Sequence, residues 1–165
     1  MAITAEFLSS LEHIPAGQWN AITGTDYPFL RHEFLYGLEQ TGCACADTGW
    51  QGCHLVLRDA AGVLAVMPLY LKSHSYGEYV FDWSWADAWQ RSGLHYYPKL
   101  VSAIPFTPAT GPRLCMREDA DAAATWNAAL DAVRGLANKR GISSWHLLFP
   151  EQDVARSLLA AGLHR

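Results

Sequence analysis

Apolar residues recur along this chain first at helical spacing, then in alternation, then at helical spacing again, so the pattern predicts mixed helices and strands. Phe7, Leu8, Leu11 and Ile14 fall on one face of a helix that Thr4 caps. Glu6 lies near its positive end, Ile3 is placed to staple onto Leu8, and Pro15 stops it. A second helix over 28–40 is apolar at Phe34, Leu35 and Leu38 and ends at Gly42. Residues 54–58 then alternate, 59–62 form a hairpin turn, and 63–72 make a strand apolar on both faces. Pro68 within it removes a ladder donor and predicts a bulge or a break in pairing.

Residues 79–85 predict a third strand, with Tyr79, Phe81, Trp83 and Trp85 on one face and Val80, Asp82 and Ser84 on the other. A short helix over 95–103 and a run stiffened by Pro105, Pro108 and Pro112 lead to a strand near 113–116. The strongest helical signal covers 120–140: Asp119 and Asp121 stand at its start, and Lys139 and Arg140 precede Gly141 at its end. A strand over 143–149 stops at Pro150, and a last helix over 151–161 has Gly162 as its stop.

Length and composition narrow the picture. A chain of 165 residues, half hydrophobic and 17% charged, is suited to one folded domain over 1–165. Its net charge of -4 and the lack of a basic run argue against DNA and against an anionic membrane surface. No apolar stretch is long enough to span a membrane, and Glu6, Glu12 and His13 stand where a secretory signal carries Lys or Arg, which makes the expected location cytoplasmic. Cys43, Cys45, Cys53 and Cys115 fit that compartment as free thiols. Their spacing, even with His54, does not match paired zinc knuckles, and no metal is expected.

The unusual chemistry lies between Tyr76 and Arg113, where aromatic and charged residues stand in place of the usual Val and Ile. Transfer of an acyl group to an amine needs a proton acceptor, donors for a developing oxyanion and a surface that aligns the reactants. Asp82 is the candidate base, because a carboxylate among aromatics is desolvated and its pKa raised. His74 is the second candidate, and Tyr79 or Tyr76 could donate a hydrogen bond to an oxyanion. Tyr76, Trp83 and Trp85 are candidates for substrate contact, and Lys99 and Arg113 for holding a carboxylate or diphosphate. The competing reading makes Asp82 a structural hydrogen-bond acceptor and the aromatic stripe part of the core.

The element order is that of a GNAT (Gcn5-related N-acetyltransferase) fold without its final strand: an α/β (α+β) domain with a mixed, mostly antiparallel sheet flanked by helices. The segments FLRHEFLYGLEQTG, TGWQGCHLVL, MPLYLKSHSYGEYVFDWSWADA, YYPKL and PFTPATGPRL, from about Tyr27 to the C-terminus, resemble the FemAB-like N-acyltransferases, a bacterial family linked to peptidoglycan biosynthesis or recognition. The resemblance implies a peptidoglycan-precursor or other small-molecule acceptor, and acyl-CoA or aminoacyl-tRNA as donor. It also implies a second GNAT-like domain, of which this chain would be the first partner. GNAT enzymes grip the CoA pyrophosphate with an Arg/Gln-x-x-Gly-x-Gly/Ala turn at a helix N-terminus. The turns at 59–62 and 109–111 lack its second glycine and its spacing, so this chain alone is expected to be inactive with acetyl-CoA.

Two expectations of different class follow. The chain is the acceptor-binding part of an N-acyltransferase or aminoacyltransferase, or it is a non-catalytic GNAT-like module that binds a glycan-peptide or a protein. In either case the strand over 143–149 would stand at a sheet edge and promote self-association.

Overall fold

In the computed structural model, which describes residues 2–160, 163 and 164, eight strands form two four-stranded sheets with five α-helices around them. The first departure from the sequence pattern comes at once. Thr4–Leu8 is a strand, β1, that pairs antiparallel with β3, His54–Asp59, from Thr4 opposite Arg58 to Leu8 opposite His54. The expected first helix survives only as the 3-10 turn Leu11–His13, where the Ser10 side chain accepts from the Glu12 N–H. Pro15 precedes a helix instead of ending one, since its missing N–H costs nothing before the first turn. Helix α1, Ala16–Thr23, follows it and buries Trp19. A 3-10 turn at Pro28–Leu30 and α2, His32–Gln40, fill the expected second helical region.

After β2, Trp50–Gly52, and β3, the chain turns into β4, Gly62–Met67, and resumes as β5, Tyr70–Lys72. Pro68 lies at the break between them, as its missing N–H predicts. The break divides the sheets. One has the order β1-β3-β4-β7, where β7 is Cys115–Met116; the other has β2-β5-β6-β8, where β6 is Lys99–Ser102 and β8 is Trp145–Leu147. All pairs are antiparallel except β6 with β8.

Two further expectations are corrected here. Residues 79–85 are not a strand: they leave a loop and enter helix α3, Trp83–Arg91. Gly77 and Tyr79 both have positive φ, at 79° and 59°, which turns the chain too sharply for a continuous strand. Residues 95–103 are not a helix, because β6 is fully buried between β5 and β8 and a short apolar run of this kind suits a central strand.

Helix α4, Ala122–Arg140, is capped by Asp121, whose side chain accepts from the Ala124 N–H, and ends at Gly141 in the left-handed conformation. Its Ala129 and Val133 pack against Leu55, Leu57, Leu100 and Ile142 in the main core. Helix α5, Gln152–Ala160, is the last described element, and the expected stop at Gly162 lies outside the described residues. Among the described residues β8 has a strand partner on one side only.

Candidate functional site

The region between β5 and β6 turns ordinary burial inside out. Its charged side chains point inward: Glu78 is 2% exposed and Asp82 5%, while Tyr76, Phe81 and Trp85 are about two-thirds exposed, at 66%, 68% and 66%. The cause is Lys99, the first residue of β6 and almost wholly buried. An uncompensated ammonium there would be prohibitive, so its charge is met from the loop above. Lys99 Nζ donates to Glu78 Oε2 at 2.8 Å and to Asp82 Oδ2. The hydroxyls of Tyr96 and Tyr97 complete the shell, each donating to one Asp82 oxygen at 2.8 Å.

A second buried lysine, Lys72 at the end of β5, lies over the Trp50 ring at 3.8 Å and donates to the Tyr76 carbonyl at 3.1 Å. Two cations and two carboxylates therefore stand beneath the aromatic loop. On the far side of β6, His146 of β8 is opposite Val101, and its ring meets Tyr96 edge-on at 6.2 Å.

These neighbours set the ionisation of the cluster. Burial alone would raise the Asp82 pKa, but the bonds from Lys99, Tyr96 and Tyr97 outweigh it and bring the carboxyl down to about 2. The elevated pKa expected for Asp82 is thus corrected, and its physical reason is the buried ammonium that the sequence pattern did not place beside it. Burial pushes Glu78 up, against the pull of Lys99. Burial lowers Lys72 to about 8, with Glu78 opposing, and lowers His146 to about 4, helped by the Lys99 charge. Burial, with the hydrogen bond to Asp82 acting in the same direction, raises Tyr97 to about 12.

The other expected site residues separate into two groups. Tyr76 and Trp83 share the exposed face, their ring centroids 6.5 Å apart, with Phe81 5.0 Å from Trp83. Tyr79 and Trp85 are exposed on the same segment. His74 stands near them: its Nδ1 accepts from the Tyr76 N–H at 3.3 Å, and burial followed by the Lys72 charge lowers its pKa. Arg113 does not belong to this surface. It is 1% exposed, and its guanidinium donates to the carbonyls of Leu148, Gly111, Pro112 and Ala109. Its expected role with an anionic substrate is corrected to that of an internal brace. Lys99, expected as an accessible cation, is likewise consumed by Glu78 and Asp82.

Sequence reasoning missed Tyr96, Tyr97, Lys72 and His146. The Tyr-Tyr-Pro-Lys run at 96–99 was the available signal, since two phenols followed by a lysine can serve one carboxylate.

Beside the loop, α3 and residues 93–97 border an open groove of about 520 Å³. Trp83, Ala86, Asp87 and Gln90 line one wall at helical spacing, and His95, Tyr96 and Tyr97 the other.

Comparison with known proteins fits this fold. The profile of the FemAB-like family, described as peptidoglycan biosynthesis/recognition, matches residues 10–165. This chain belongs to that family. Among solved structures it is similar to a ribosomal-protein-alanine N-acetyltransferase from Brucella melitensis biovar Abortus 2308. The TM-score is 0.59 at 13% identity, covering 99% of this chain and 92% of the other. It is also similar to an aminoglycoside antibiotic 6'-N-acetyltransferase from Acinetobacter baumannii, with a TM-score of 0.55, 10% identity and the same coverage of 99% and 92%. At such identities the likeness shows the GNAT acetyltransferase fold alone. No match was found among curated proteins.

The start of α4 does not fit the pyrophosphate of CoA. It carries Glu118 and Asp119 ahead of the Asp121 cap, and no glycine stands between Cys115 and Ala122. Arg117, the cation at this turn, is bound to Asp59 and Asp119. Carboxylates there repel a diphosphate where a helix N-terminus would otherwise attract one.

Proposed function

We propose that this FemAB-like chain supplies the acceptor side of an acyl or aminoacyl transfer to nitrogen in peptidoglycan metabolism. The observation that carries this is the inside-out loop, whose buried Lys99, Glu78 and Asp82 hold a set of aromatic side chains in solvent. Exposed rings on a loop anchored from below form a surface for a ligand, because burying them is favourable and little freedom of the loop remains to be lost. Both similar structures bear the names of N-acetyltransferases, which supports nitrogen as the accepting atom.

The site is better equipped for recognition than for proton transfer. Asp82, near 2, is too weak a base to accept a proton from an ammonium group at neutral pH. We therefore assign Asp82 a positioning role: it pins the Tyr96 and Tyr97 hydroxyls and the entry of α3. His74, Tyr79 and Tyr76 stand at the rim, where they can contact an acceptor. The acidic start of α4 favours a donor held elsewhere, in line with a second GNAT-like unit that binds acyl-CoA or aminoacyl-tRNA. A non-catalytic binding module would use the same surface and lack the transfer.

The test is calorimetry with a peptidoglycan-precursor disaccharide-pentapeptide, followed by transfer assays with each donor class. Binding that weakens at least tenfold in Asp82→Asn, in a protein that still folds, supports the reading. Tight binding indifferent to Asp82→Asn and to Trp85→Ala would sink it.

A further inference from the structure

We infer that the groove between α3 and residues 93–97 is a saccharide subsite, built to seat a neutral pyranoside against Trp83 and the Tyr96–Tyr97 pair. The inference rests on the acceptor reading above and assigns a chemical class to one part of that surface. The groove measures about 520 Å³, within the roughly 300–1,000 Å³ typical of small-molecule sites.

Its lining combines two kinds of group. Trp83 presents a half-exposed indole at one side, and the half-buried Tyr97 presents its phenol ring at the other, backed by the buried Tyr96. The face of an aromatic ring is electron-rich, and the C–H faces of a pyranose carry the complementary partial charge. Asp87 and Gln90 share the Trp83 wall and His95 the tyrosine wall, all three exposed, and their planar polar groups can each serve a sugar hydroxyl or amide.

Charge decides against the other small ligands. Asp87 is bound to Arg91 one helical turn on, so that pair contributes no net charge. Lys99, beneath the tyrosines, is neutralised by Glu78 and Asp82. A phosphate or carboxylate entering the groove would meet no free lysine or arginine among its lining residues. A purely apolar guest would cover Gln90 and His95 without offering either a partner.

The rings are also held in place. Tyr96 and Tyr97 donate to the same buried carboxylate and meet each other edge-on at 5.0 Å. Asp82 itself immediately precedes Trp83, at the start of α3. One carboxylate thus fixes both walls, so little conformational freedom is lost when a ligand enters.

The experiment is a two-dimensional NMR titration of the 165-residue chain with N,N'-diacetylchitobiose, cellobiose, inorganic phosphate and a neutral detergent below its micelle concentration. The expected result is saturable shifts confined to amides 83–97 with at least one disaccharide, none with phosphate, and at least tenfold weaker binding in Trp83→Ala and in Gln90→Ala. Both side chains are exposed, so the variants should retain the wild-type melting temperature. No saccharide shifts, equal shifts in the variants, or saturation by phosphate or detergent alone would overturn the assignment. The two readings fail separately. Disaccharide binding by a chain that does not bind the disaccharide-pentapeptide retires the acceptor reading and leaves the subsite, whereas binding of the disaccharide-pentapeptide indifferent to Trp83→Ala and to competing chitobiose retires the subsite alone.

Discussion

Lys99 and Glu78 form an ion pair of 2.8 Å in which neither side chain reaches solvent, with Lys99 on a central strand and Glu78 on the loop above it. The pair joins a central strand of the sheet to the loop that carries the exposed aromatic side chains. Its removal should be felt well beyond the loop.

Replacing Lys99 by Met should destabilise the protein by about 3–5 kcal/mol, because two buried carboxylates then lose their counter-charge. Urea unfolding of Lys99→Met against Arg91→Ala checks this. The exposed pair of Arg91 with Asp87 should leave the midpoint nearly unchanged.

Stability should depend on Asp82 in a definite pH window. Its folded pKa of about 2 lies below its ordinary value of 3.8, so the ionised carboxylate stabilises the fold above pH 4, and this contribution is lost as pH falls toward 2. Asp82→Asn should therefore be less stable than wild type at pH 7, and the two unfolding midpoints should converge between pH 4 and pH 2. A difference that stays constant over this range would place the Asp82 effect outside its charge. Glu78 acts with the opposite sign, since a raised carboxyl loses stability as pH climbs through its folded value.

Alkaline titration followed by ultraviolet absorbance should show Tyr97 ionising near 12, with Tyr96 and Tyr70 also delayed above the usual range. For all three, burial is the leading cause. Asp82→Asn should advance the Tyr96 and Tyr97 transitions, because it removes the carboxylate charge, and leave that of Tyr70 in place.

The order of the chain was legible wherever a pattern was long or bounded by its own punctuation. Asp121, Gly141 and the nineteen residues of α4 are one such case, and the hairpin through Gly62 with its break at Pro68 is another. Thr4–Leu8 was not, because a five-residue segment has no period of its own and pairing with β3 decides it. The site was half legible. Asp82 and Lys99 were both identifiable as residue types, but their contact depends on residues 79–85 not being a strand, and nothing local in an alternating Tyr-x-Phe-x-Trp pattern excludes one. Arg113 beside three prolines resembled an anion clamp, and only the fold reveals the four carbonyls that occupy it.

Arg113→Lys should cost about 2 kcal/mol or more, since one ammonium cannot reach four diverging carbonyls, and should leave chitobiose binding unchanged. Thermal unfolding and the NMR titration measure the two halves of that statement.

We propose that β8 also mediates self-association, because its outer edge has no strand partner among the described residues. Light scattering should show a concentration-dependent increase in mass, with amides of Trp145–Leu147 gaining protection from exchange in step with it. A monomer at every concentration with those amides already protected would overturn this.

The loop over the two lysines also limits how a ligand can arrive. Lifting it would separate Lys99 from both carboxylates and leave an ammonium stranded in the middle of a sheet, so the loop cannot serve as a hinged cover that opens at little expense. Traffic must pass across its outer, aromatic side. Arrival there should be governed by diffusion to a surface that is ready before the encounter, with association rates that vary little with temperature and show no slow gating step.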